Sequence, residues 1–322
     1  MIEARDADFH DVPPEHRETW TETNYFPFHF PTANLSGCVY VVCRPGLGVA
    51  MCDVTIFDRC AEHWEGLAYT DNQQHLPCPA SLTDYTLRNG LSVKAVASPR
   101  DYRIDYVGID DTELHFDFRG IMRPQDFNDP EQDPLTRLHK TGAGSWDQAF
   151  NGHFDMTGRV TGSLTLRGVP HDIDCLATMD HSWGPRLERD NGSAVVLQAH
   201  FDGGTAIHAM AALDLRREDA IGPMLHGYVL QPDGSVRGLV AGHGSARRTG
   251  LRPDTIEAVL EDEDGRQYAL AGRMLNWAPW APYSSILYYS GLAEWTLDGR
   301  IGHGPYQEVV GRAFVARHRL SR

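Results

Sequence analysis

The 322-residue chain is 41% apolar and carries a formal net charge of -15. That apolar share supports a packed core, while the charge argues against nucleic acid or an anionic membrane as partner, because phosphates are repelled. No run of about 18 apolar residues offers a membrane span, and the start, Met1-Ile2-Glu3-Ala4-Arg5-Asp6, lacks a basic-then-apolar signal, so a cytoplasmic location is expected.

Residues 1–37 are polar and carry Pro13-Pro14, Pro27 and Pro31. They read as an extended arm whose aromatics strap the bottom of a barrel, with His29 or Asn24 as the residues to reach a pocket. From Cys38 the chain reads as successive strands. Leu91–Ala97 alternates with period two, and Leu114, Phe116 and Phe118 share one face. Residues 122–150 break this rhythm with acidic, Pro-containing sequence. They read as a lid or a plain surface excursion, with Trp146 and Phe150 favouring docking on the barrel. Alternation resumes at His153 and runs through Val169 to Met179. The second half repeats the style, with strand pairs flanking Asp202-Gly203-Gly204, Pro232-Asp233-Gly234 and Asp264-Gly265, and a last strand over 307–317. Such turns predict antiparallel meanders. The expected fold is all-β, two tandem lipocalin-like barrels, with residues 1–186 forming the arm and first barrel and 187–322 the second.

Several chemistries lose support. There is no β-α-β alternation, G-x-G-x-x-G, P-loop or G-x-S-x-G. The six cysteines include no C-x-x-C and read as buried free thiols. The sixteen histidines show no tight zinc spacing. No cofactor and no metal is expected, though a metal site assembled across strands stays open.

The most concentrated chemistry is Met179-Asp180-His181-Ser182-Trp183-Gly184-Pro185-Arg186. It joins the two β-rich halves. Its Asp180-His181-x-Trp183-Gly184 core resembles the motif of the carotenoid 1,2-hydratase (hydroxyneurosporene synthase) superfamily, whose members are tandem lipocalin-like barrels. The resemblance covers the two-half layout and this motif. It implies a cofactor-independent hydratase or dehydratase acting on a hydrophobic, isoprenoid-like alkene or tertiary alcohol. It also implies that Asp180 is the acid. Relatives acting as isomerases or cyclases keep those chemistries as alternatives, and a non-catalytic carrier of an apolar metabolite is the reading from another class.

The chemistry fits the residue types. Hydration of an unactivated alkene starts with proton transfer to carbon, so the acid must keep its proton near neutrality. An exposed Asp ionises near pKa 3.9; burial raises that by up to roughly 3–5 units. His181 could relay the proton or activate water, and Trp183 could face a cation at about 0.5–2 kcal/mol. On a straight strand, however, Asp180 and Ser182 face one way and His181 and Trp183 the other. Only a bend at Gly184-Pro185 would let more of them converge. The structural alternative pairs Asp180 with Arg186.

A second aromatic cluster, Asn276 to Tyr283 with Tyr288-Tyr289, suits a pocket wall, with Trp277 and Tyr288 as substrate-binding candidates. Adjacent Tyr288 and Tyr289 should point oppositely. His303, exposed by flanking glycines, and Glu308, a second carboxylate, complete the candidates. The expected partner is a small hydrophobic substrate; a homo-oligomer stays open.

Overall fold

A computed structural model describes residues 1–136, 151–186, 193–215, 220–282 and 285–320. The chain is all-β, built as two tandem barrels, the first an open, curled half-barrel and the second closed. The first sheet contains β1 (Trp20–Phe30), β2 (Leu35–Arg44), β3 (Val49–Phe57), β4 (Tyr69–Pro77), β5 (Asp84–Thr86), β6 (Leu91–Ala97), β7 (Asp101–Val107), β8 (Glu113–Gly120), β9 (Gln125–Asp126), β10 (Gly152–Leu166) and β11 (Val169–Pro185). Its order is β4-β3-β2-β1-β11-β10-β8-β7-β6-β5, with β9 on β10. Side chains from β4 and β7 meet across its open side: the Tyr69 and Tyr106 hydroxyls lie 2.6 Å apart, and Tyr106 donates to Asp71 at 2.8 Å.

The second sheet contains β12 (Ala194–Phe201), β13 (Ala206–Asp214), β14 (Ala220–Leu230), β15 (Val236–Thr249), β16 (Arg252–Asp262), β17 (Gln267–Met274), β18 (Ala278–Trp280), β19 (Ile286–Leu297) and β20 (Arg300–Gly311). Pairing of β17 with β19 closes eight of these strands into a barrel. Helix α1 (Arg312–Leu320) follows. The expected strand over 307–317 therefore ends at Gly311. Ala and Arg in the segment beyond it are good helix formers, and Val315 is buried against the second core.

Each sheet curls around its own apolar core. Phe26, Phe28, Ile104, Phe118 and Phe154 fill the first; Leu197, Ile207, Leu270, Trp295 and Tyr306 fill the second. The strap reading of the N-terminus is corrected from Trp20 onward. β1 is a central strand, buried along its whole length and paired with both β2 and β11. Its polar residues misled because both faces are covered: one by the first core, the other by the second barrel. Pro27 is tolerated because it lies past the last β11 pairing, Tyr25 with Asp180.

The two halves meet along the face of β1, β10 and β11 that carries Tyr25, Asp155 and Asp180. Asn276, fully buried, ties them together. Its Oδ1 accepts from Ser36 Oγ at 2.9 Å and from the Leu292 amide at 2.8 Å, and its Nδ2 donates to the Asn34 carbonyl at 2.9 Å. All six cysteines are free thiols. No described helix is long and apolar enough to cross a membrane.

Candidate functional site

β11 runs through the Asp180–Pro185 segment without a bulge, in continuous register with β1 throughout and with β10 as far as Trp183. Gly184 absorbs the local twist at φ 152°. The motif's side chains therefore divide between two faces, as period-two geometry requires. Thr178, Asp180 and Ser182 face the second half: Thr178 Oγ1 meets His200 Nε2 at 3.0 Å. His181 and Trp183 face the first half's interior.

Asp180 stands directly opposite Tyr25 on β1 and Asp155 on β10. It keeps some accessible surface, yet desolvation is the main reason its pKa is pushed up to about 7. His153 opposes that rise, Asp155 adds to it, and Arg186 opposes it. Tyr25 OH accepts from Gln307 Nε2 at 2.6 Å, joining this face to β20.

Beside Asp180 lies a cluster drawn from four segments. Asp155 is reached by His153 Nε2 at 2.8 Å, His208 Nε2 at 3.3 Å and His226 Nε2 at 2.9 Å. His226 Nδ1 meets Asp133 Oδ2 at 2.8 Å. Burial pushes the Asp155 pKa upward, but His208 and His153, by attraction and by hydrogen bonds to the carboxylate, overcome it and hold the carboxyl well below its usual range. Burial opposes charge on His226 as well; Asp133 and Asp155 outweigh it, raising the imidazole to about 10. Two adjacent carboxyls are thus driven in opposite directions, Asp180 toward the acid and Asp155 toward the anion. Such divergence marks acid–base sites.

On the other face, His181 Nδ1 donates to the Thr23 carbonyl at 2.8 Å, and Nε2 lies 3.8 Å from Glu22. Desolvation lowers its pKa to about 4, so it is neutral. His10 stacks on Trp183 at 3.8 Å and meets Glu22 at 3.0 Å. The sets His10–Glu22–His181 and Asp155–His208–His226 each bring three donor atoms within 4.8 Å. In the second set His226 has a carboxylate at each nitrogen and is a cation, which makes it a poor metal ligand, since ligation needs a neutral imidazole lone pair.

The other candidates scatter. Trp277 is buried in the second core, stacked on Tyr289 at 5.1 Å. Tyr288 points the opposite way, into an apolar seam between the halves with Tyr40 and Trp280. His303 is half-buried on the outer face of β20, 3.8 Å from Glu294. Glu308 lies inside the second barrel, held by both Arg248 nitrogens and by Tyr306 OH at 2.9 Å. Trp146, Phe150 and Tyr283 lie outside the described residues. The described part of the acidic 122–136 stretch docks between the halves, burying Asp133 and Leu135.

A hollow of about 690 Å³ opens at the apolar end of the seam, lined by Trp64, Trp280, Leu287, Asp53 and Asn72. Asp180 does not line it, but a cross-strand row connects them: Asp53 pairs with Tyr40, Tyr40 with Tyr25, and Tyr25 with Asp180. Three strand steps span roughly 14 Å.

The fold and site define a two-barrel β protein with an acid–imidazole layer between its halves. The chain belongs to the family described as Domain of unknown function (DUF7064), whose model matches residues 4–308. No curated protein matches the sequence. Among solved structures it is similar to kievitone hydratase from Nectria haematococca, with a TM-score of 0.57 and 12% identity over 93% of this chain and 90% of that one. It is equally similar to a protein provisionally assigned as AttH from Nitrosomonas europaea, with a TM-score of 0.57 and 13% identity over 90% and 91%. At these identities the likeness is one of fold, and that fold includes a hydratase.

Proposed function

We propose that the protein is a cofactor-independent hydro-lyase that adds water to, or removes it from, a hydrophobic alkene or tertiary alcohol, with Asp180 as the acid. The observation that carries this reading is the Asp180 carboxyl, pushed up to about 7 by desolvation beside an ionised Asp155. A carboxylic acid still protonated near neutrality is what alkene protonation needs. The fold shared with kievitone hydratase supports a hydratase framework in general terms.

The straight path of β11 sets Trp183 and His181 apart from Asp180, so this reading gives them no direct role in the proton transfer. The aromatic surfaces on Asp180's own side are Tyr25, Tyr40 and Tyr288, with Tyr40 and Tyr288 ring centroids 6.3 Å apart. The test is a screen of terpenes, terpenols and simpler trisubstituted alkenes with product analysis by mass spectrometry, run on wild type and Asp180→Asn. Turnover by wild type and its loss in the variant is the expected result; a fully active variant rejects Asp180 as the acid.

A further inference from the structure

A hydratase needs a second group, one that takes a proton from water as the carbon–oxygen bond forms. We propose that this group is His208, presented by the second barrel, and that Asp155 from the first half is its positioning residue. The proposal rests on the hydro-lyase reading and deepens it.

His226 lies between two carboxylates, its Nδ1 2.8 Å from Asp133 and its Nε2 2.9 Å from Asp155, and as the cation they hold there it has no lone pair to take a proton from water. His200 is used up as well: Nδ1 donates to the His303 carbonyl at 3.2 Å and Nε2 accepts from Thr178. His208 differs. Its Nε2 lies 3.3 Å from Asp155 Oδ1, while its buried Nδ1 has no hydrogen-bond partner among the described residues. A carboxylate that holds Nε2–H fixes the tautomer with the lone pair at Nδ1, the disposition a general base requires. The Tyr228 ring, stacked at 5.5 Å and 26°, fixes the imidazole plane. Asp155 reaches both parts of the site. It touches His208 and stands directly across from Asp180, where opposed Cβ atoms are about 4.5–5.5 Å apart. The acid thus comes from β11, the base from β13, and the residue between them from β10. Charged or titratable groups facing His208 are Asp155 and His153 on β10, His226 and Tyr228 on β14, and His200 on β12.

In the hydration direction Asp180 gives its proton to one alkene carbon, and the π pair becomes the new C–H bond. A water lone pair forms the C–O bond to the other carbon, and the water proton passes to His208 Nδ1. Return of that proton to the Asp180 carboxylate restores both groups. The net reaction is alkene plus water to alcohol.

Gln approximates the reach of Nε2, so His208→Gln keeps a donor for Asp155 and removes the base. The probes are 2-methyl-2-heptene and its isoprenoid homologues, offered in deuterated water. The expected result is that His208→Gln lowers alcohol formation about 10²–10⁴-fold but still puts deuterium into recovered alkene, because Asp180 still protonates carbon reversibly. Asp180→Asn should do neither. Asp155→Asn should shift the acid limb of the kcat/KM profile to lower pH, since the imidazole loses its anion. Should His208→Gln fold poorly, His208→Asn, whose shorter amide replaces Nδ1, also removes the base. Undiminished hydration in both His208 variants overturns the base assignment, as does a stoichiometric metal in the purified protein that disappears with His208. Absence of both deuterium uptake and alcohol in wild type across the panel sinks the hydro-lyase reading, and this assignment with it.

Discussion

Replacing Asp180 with Asn should make the protein more stable, and should do so only where the pH is above the carboxylate range. The folded-state pKa is raised from 3.8 to about 7. Below 3.8 both folded and unfolded chains hold the proton, and the wild-type carboxyl costs nothing relative to a neutral amide. Between 3.8 and 7 only the folded chain holds it, so wild type loses stability as pH rises. Above 7 the loss is complete. At 1.36 kcal/mol per unit it amounts to about 4 kcal/mol. Because Asp180 keeps part of its surface, screening brings the expected gain to roughly 2–4 kcal/mol. Urea unfolding of wild type and Asp180→Asn at pH 8 and pH 5 measures it. The variant's advantage should be large at pH 8 and fall below half at pH 5, while turnover is lost at both. Equal stability at pH 8, or an advantage that persists undiminished at pH 5, refutes the claim that burial keeps this acid neutral.

Four further changes probe the frame around it. Glu308→Ala leaves Arg248 charged and unpaired inside the second barrel; a loss of about 3–5 kcal/mol is expected, and a double-mutant cycle with Arg248→Met should recover much of it. His200 is held neutral by burial, its pKa lowered to about 3, so wild type should lose stability as pH falls from 6.5 toward 3; His200→Asn should flatten that slope in thermal melts. A Cβ on Gly152 would sit 1.9 Å from Trp183 Cζ2, so Gly152→Ala should displace the indole from His10 and change tryptophan fluorescence. Asn276→Leu strands Ser36 Oγ and the Leu292 amide between the halves; about 2–5 kcal/mol should be lost, and calorimetry should show two transitions where wild type shows one.

Much of the frame is legible in residue order. The period-two pattern at Leu114, Phe116 and Phe118 places all three in the first core. The turn at Asp233-Gly234 has Gly234 at φ 83°, as a tight connection between β14 and β15 needs. The motif at Asp180 also carries its own geometric condition, since a straight strand sends Asp180 and His181 to opposite faces, and the strand is straight. What residue order hides is pairing between distant segments. Asp155, His208 and His226 lie on three strands separated by up to 71 positions, and each alone resembles an ordinary alternating polar residue. Only the stacking of the two halves makes them one cluster. β1 was hidden for the same reason: a strand covered on both faces by different cores, one of them through a polar layer, shows neither alternation nor a continuous apolar run.

The composition of the seam argues that its polar end is there for chemistry. At the β2–β3 end the halves meet through Tyr40, Val42, Trp280 and Ile286, a largely apolar contact whose hydrogen bonds are gathered on the single side chain of Asn276. At the β10–β11 end the same seam buries Asp155, Thr157, Thr178, His200, His208 and His226. Each polar group there must be matched by one from the opposite half, as Thr157 is by Tyr228 at 2.8 Å and Tyr25 by Gln307. Buried ionic groups of this kind contribute little net stability compared with apolar packing of equal volume. The fold has an apolar solution to the same contact a few strands away, so cohesion does not account for the polar end. An acid held neutral beside an anion, with an imidazole lone pair left over, is a more demanding arrangement than holding two barrels together requires.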